Sequence, residues 1–128
     1  MSEPSTAGVT PVPENLRREL QDLGLRPYEA RVLLALLRAG SANSAQLAEL
    51  SGVPRTSTYQ VMEALTEHGL AERVPTHGPA VWTCHGWEAV VDVLDAAEEE
   101  RLRQHHARTS RLRKAMAEVL PTKPPVPA

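Results

Sequence analysis

The stretch SGVPRTSTYQVMEALTEHGL, residues 51–70, decides the fold. A Gly-Val-Pro turn leads into a run that meets no further Gly or Pro before Gly69. Thr58, Val61, Met62 and Leu65 recur at helical spacing and mark one stripe as buried. A helix is therefore expected from about Pro54 to His68, with Gly69 as its stop. Its other face opens with Arg55, Thr56, Ser57 and Gln60 and continues to Ala64. These side chains are short or hydrogen-bonding, which suits close approach to a DNA major groove. Hydroxyls and amide N–H groups can bond phosphates, while Arg55 and Gln60 can address base edges. The positive end of the helix favours phosphate as well.

Upstream, NSAQLAELSG (residues 43–52) predicts a short helix. Asn43 and Gln46 have capping-box spacing, Leu47 and Leu50 are expected to face inward, and Gly52 ends it. Ser44, at its start, joins the candidate DNA contacts. RPYEARVLLALLRAG (26–40) predicts the most apolar helix, with Tyr28, Val32, Leu33, Leu36 and Leu37 in helical register. PENLRRELQDLG (13–24) predicts another, placing Leu16, Leu20 and Leu23 on one face. Downstream the pattern changes. LAERV and AVWTC are β-compatible runs separated by PTHGP, which is turn chemistry. A two-stranded hairpin over Leu70–Val74 and Ala80–Cys84 follows. Arg73, Thr76 and His77 can reach an adjacent groove or the DNA backbone from it. Tyr59 can stack on a sugar, contact phosphate, or pack against the hairpin.

Taken together, LGLRPYEARVLLALLRAGSANSAQLAELSGVPRTSTYQVMEALTEHGLAERV (residues 23–74) resembles the winged helix-turn-helix domain of the TrmB-like transcriptional regulators. The resemblance covers roughly residues 23–86. Its features are the LGL…YEARV…LALL opening, LAELSGVPR, the register of Tyr59 and the following Gly69-Leu70. It implies a cytoplasmic, DNA-binding regulator that is usually dimeric. Many members carry a C-terminal effector domain that binds sugars; here a long helix and a proline-rich segment follow Gly86.

Composition bounds the other function classes. The chain has 128 residues and a net charge of −2, with no Phe and two each of Trp and Tyr. Its core must be built mainly from Leu, Val and Ala. The N-terminal residues lack the basic start and apolar run of a secretory signal, and no segment is apolar enough to span a membrane. Cys84 is the only cysteine, so no intrachain disulfide can form. Cys84-His85 and His105-His106 bear metal-ligand types, but their spacing matches no zinc-finger pattern. No phosphate loop or nucleophile elbow is present, so no enzyme and no cofactor are expected. Between Gly24 and Gly86 five arginines balance five glutamates. Phosphate neutralisation dominates most DNA affinity. A winged helix that binds protein without DNA is therefore the competing reading.

From Trp87 to Val119 there is no Gly or Pro, and one long helix is expected. Trp87, Val91, Leu94, Leu102, His105, Thr109, Leu112, Met116 and Val119 form a stripe that Glu98 interrupts. Such a helix is about 50 Å long at 1.5 Å per residue, too long for one small domain to cover. Dimerisation through Trp87, Val91, Leu94, Leu102, His105, Leu112 and Met116 is expected. Acidic residues lead and basic ones follow, which favours antiparallel pairing. The expected fold is mostly α with a small hairpin. Residues 1–12 are expected as a loose tail, 13–86 as a winged helix-turn-helix, 87–120 as the dimerisation helix and 121–128 as a proline-rich tail. The sequence identifies no effector and no operator.

Overall fold

The computed structural model describes residues 13–123 together with Val126 and Pro127. The tail expected over 1–12 and part of the proline-rich segment lie outside the described residues. Helices α1 (Glu14–Asp22) and α2 (Pro27–Ala39) are followed by strand β1 (Ser41–Asn43) and helices α3 (Ser44–Ser51) and α4 (Arg55–Glu67). Strands β2 (Glu72–Val74) and β3 (Val81–Thr83) precede helix α5 (Trp87–Val119). The chain divides into two units, one ending at Val93 and the other beginning at Leu94.

In the first unit α2 is the centre of the core. Ala30, Val32, Leu33 and Leu36 are fully buried, and Leu47, Met62 and Leu65 close on them from α3 and α4. The periodic residues of the sequence thus supply the core, as the helical spacing demands. Pro27 occupies the first turn of α2, where a missing N–H costs no intrahelical bond. The Arg26 amide donates to Glu29 Oε1 at 2.9 Å across that turn. On α3 the expected capping box is complete: Gln46 N donates to Asn43 Oδ1 and Asn43 N to Gln46 Oε1.

The sequence reading differs from the structure in two places. The sheet has three strands rather than two, in the order β1-β3-β2. β1 pairs antiparallel with β3, setting Ala42 against Trp82, and β2 pairs with the other edge of β3, setting Arg73 against Trp82. Second, Leu50 does not face inward but is 60% exposed, because the two-turn α3 already fills its core position with Leu47. On α1 the sequence reading places Leu16, Leu20 and Leu23 on one face; Leu16 and the capping Leu23 are exposed, and the helix contributes no fully buried residue.

The turn between α3 and α4 depends on Gly52. Its φ is +75°, in the left-handed region that favours glycine. A Cβ placed there would lie 2.7 Å from Arg31 Nη2. That guanidinium donates from Nε and Nη2 to the Ser51 carbonyl at 3.2 and 3.0 Å, satisfying the exposed end of α3. Gly52→Ala should therefore cost about 1–3 kcal/mol through backbone strain and displacement of Arg31. Urea denaturation of the two proteins checks this; equal midpoints would remove the turn from the account.

In the second unit two ion pairs form along α5 among the described residues. Arg101 donates to Glu98 Oε2 at 2.7 Å, and Arg103 donates to Glu100 Oε1 at 2.6 Å. Hydrogen bonds from Arg103 and Gln104 hold the Glu100 carboxyl below its usual range, and the Glu98 bond raises that of the Arg101 guanidinium. Leu102, Leu112, Met116 and Val119 are 46–77% exposed along the same helix.

Candidate nucleic-acid interface

α4 begins without a side-chain cap. Pro54 precedes it in extended conformation, and the Pro54 carbonyl accepts from Ser57 N, Thr58 N and the Thr58 hydroxyl. Thr58 is fully buried, so that hydroxyl satisfies a group the core could not leave open. The amides of Arg55 and Thr56 have no partner among the described residues. They are left as donors at the positive end of a 13-residue helix.

With Thr58, Met62 and Leu65 turned inward, the open row of α4 is Arg55, Thr56, Tyr59, Gln60 and Glu63. Ser57 and Ala64 are half-buried instead. They sit with Gln60 and Val61 in a cleft of about 480 Å³ whose other wall is Arg26, Pro27, Tyr28 and Glu29. The structure therefore brings Arg26 beside the same helix that carries Arg55 and Gln60. Sequence reasoning missed both Arg26 and Glu63. Arg26 is read locally as the start of α2; only tertiary packing brings it to α4. Glu63 is visible from helical periodicity, two turns beyond Thr56 on the outer face.

Tyr59 packs edge-on against Trp82, with ring centroids 5.3 Å apart and planes at 78°. It stays 38% exposed. Such a contact fixes the ring by geometry as well as by area, and it ties α4 to the central strand. In the wing, Arg73, Thr76 and His77 are all exposed. The Thr76 hydroxyl accepts from Gly78 N at 3.0 Å and lies within 3.1 Å of the Gly78 and Pro79 carbonyls. Its side chain shapes the tip rather than standing free. Ser44 is half-buried at the first position of α3.

The arginine ion pairs among the described residues use Arg17, Arg101 and Arg103, while His85 Nε2 lies 3.1 Å from Glu72. Arg26, Arg55 and Arg73 are left uncommitted. The neutral balance of this region thus hides an uneven arrangement, in which glutamates are partly spent: Glu29 caps α2 and Glu72 pairs with His85 at 3.1 Å. Cys84 donates its thiol to the Leu36 carbonyl at 3.9 Å. Among the described residues no three His, Cys, Asp or Glu side chains converge as a metal site, and no helix is long and apolar enough to cross a membrane.

A sequence profile of the family described as sugar-specific transcriptional regulator TrmB matches residues 20–88, from the end of α1 through the start of α5. The chain belongs to the TrmB family of transcriptional regulators. This TrmB-family chain is 34% identical over 65 residues to the HTH-type sugar sensing transcriptional regulator TrmBL1 of Pyrococcus furiosus. That match covers 51% of this chain and 18% of the relative. It is 38% identical over 56 residues to the uncharacterized protein YrhO of Bacillus subtilis, covering 44% of this chain and 20% of YrhO. Both matches therefore span about a fifth of the relative's length. Among solved structures it resembles TrmBL2, an archaeal chromatin protein whose structure shows a novel mode of DNA binding. The TM-score is 0.75 at 25% identity, covering 83% of this chain and 41% of TrmBL2. A MarR-family regulator from Silicibacter pomeroyi shares the fold at TM-score 0.50 and 18% identity, over 82% of this chain and 80% of that one. The TrmB-family chain is thus a winged-helix protein of the transcriptional-regulator class; its family and fold are not those of enzymes.

Proposed function

We propose that this protein is a sequence-specific regulator that binds duplex DNA in the cytoplasm as a homodimer. Residues 13–86 form the reading unit, and α5, within 87–120, joins two copies. The observation that carries this reading is the uncapped start of α4, with Arg55, Thr56 and Gln60 on its open row. Arg55 or Gln60 addresses base edges in the major groove, where guanidinium pairs with guanine and amide with adenine. The free amides of Arg55 and Thr56, the hydroxyls of Ser44, Thr56 and Ser57, and the rim of Tyr59 hold phosphate and sugar. Glu63 accepts from a cytosine amino group and repels a misplaced phosphate. Relatives described as DNA-binding and as transcriptional regulators support the reading.

Selection of bound sequences from random duplex DNA tests it. The expected result is one enriched motif with two-fold symmetry. Recovery of unrelated sequences at equal affinity would count against specific reading.

The balance of five arginines and five glutamates between Gly24 and Gly86 favours one competing reading, a winged helix that binds protein. The two differ in salt dependence. If Arg26 and Arg73 contact phosphates, Arg26→Ala and Arg73→Ala should each weaken binding of all duplexes about equally and lower the salt slope by about one unit. Fluorescence anisotropy at several salt concentrations measures this. A changed sequence preference with an unchanged slope would reassign either residue to base reading.

A further inference from the structure

The stripe on α5 is unusual in where its polar breaks fall. From Leu94 onward its members are Leu94, Glu98, Leu102, His105, Thr109, Leu112 and Met116. Leu102, Leu112 and Met116 are 52%, 56% and 46% exposed. Glu98 interrupts the leading half and Thr109 the trailing half, at nearly equal distances from the midpoint between Leu102 and His105. The charges are polarised too. Asp95 lies beside the stripe in the acidic half and Arg113 beside it in the basic half, and neither has an ion-pair partner among the described residues.

We infer that two copies of this chain pair antiparallel along α5 in one register, with Leu94 against the partner's Leu112 and Leu102 against the partner's His105. This rests on the homodimer reading above. In that register Glu98, which Arg101 of its own helix already holds, meets the partner's Thr109, whose hydroxyl donates to the His106 carbonyl of its own turn, so both polar breaks share one layer. Asp95 stands beside the partner's Arg113. A parallel pair would instead set Asp95 beside the partner's Asp95 and Arg113 beside the partner's Arg113. Like charges set side by side oppose the parallel pair, while each exposed opposite pair adds only a little to the antiparallel one. Charge therefore selects orientation, and Leu94, Leu102, Leu112 and Met116 supply most of the attraction.

Cysteine crosslinking in the full chain tests the register, with Cys84→Ser as background. Leu94→Cys and Leu112→Cys should each give little disulfide dimer alone, because the two Leu94 positions lie roughly 27 Å apart along the helix axes. Mixed and allowed to exchange, they should give a Leu94–Leu112 linked dimer as the main product. A second measurement avoids the seam: a nitroxide at Lys114→Cys, on the face away from the stripe, should report roughly 35 Å between copies, against roughly 20 Å for a parallel pair. Self-linking of either single variant, or the shorter label distance, overturns the orientation. A dimer in which no pairing links overturns the register. A monomer by sedimentation that still selects DNA removes the dimer and leaves DNA reading intact. The expected crosslink in a protein that selects no DNA would do the reverse.

Discussion

Replacing Trp82 with alanine should lower the free energy of unfolding by about 3–5 kcal/mol. Trp82 is 1% exposed and is the largest fully buried side chain in the first unit. It lies at the middle of β3, the strand that holds both neighbours: Ala42 of β1 and Arg73 of β2 are its cross-strand partners. Tyr59 of α4 meets its ring edge-on. The alanine variant therefore loses a large apolar area and leaves a cavity where the sheet joins α4. Truncation of a large aromatic in a close-packed core is costly because its surroundings collapse only in part. Chemical denaturation measures the loss. Trp82→Phe should recover a substantial part of it by restoring aromatic volume against Tyr59. A Trp82→Ala protein as stable as the parent would show that the sheet does not depend on this side chain.

The second large effect concerns recognition. Arg55→Ala and Gln60→Ala should each weaken binding to the selected duplex by about 1–3 kcal/mol, or roughly 5- to 150-fold, where the residue makes a bidentate base contact. Both residues are exposed and neither contributes to the buried face of α4. Their replacement should leave unfolding within about 0.5 kcal/mol of the parent. A loss of affinity with stability preserved is thus the expected signature, and it separates these positions from Trp82. The effect should also be sequence-dependent, with mismatched duplexes losing less than the selected one. If the double variant bound its duplex like the parent, the protein-binding reading would take precedence.

Much of this was legible from the residues. Helices α2, α3 and α4 follow from apolar spacing in α2 and α4 and from the Asn43–Gln46 box in α3, because both signals are local. The length of α5 followed from the absence of Gly and Pro between Trp87 and Val119. β1 was not legible. Three residues, Ser41, Ala42 and Asn43, have no periodicity to detect, and their partner strand is forty residues away. The exposure of Leu50 was hidden for a related reason: in a helix of two turns, the spacing of two leucines cannot tell which one the core accepts. Arg55, Tyr59, Gln60, Arg73 and His77 are candidates by residue type and place on a helix or hairpin, and the structure leaves all five exposed. Arg26 was not, because its position beside Ser57 and Gln60 arises only when α2 packs on α4.

On the proposed reading, the start of α4 and the wing form one DNA-binding surface. Titration of the isotopically labelled protein with its selected duplex, followed by amide chemical shifts, tests it most directly. The largest changes should fall at Arg55, Thr56 and Gln60 and at Arg73 to Gly78, with a smaller set at Arg26. Leu33, Leu36 and Leu47 in the core should shift little. Shifts confined to α5, or none at saturating duplex, would contradict the account.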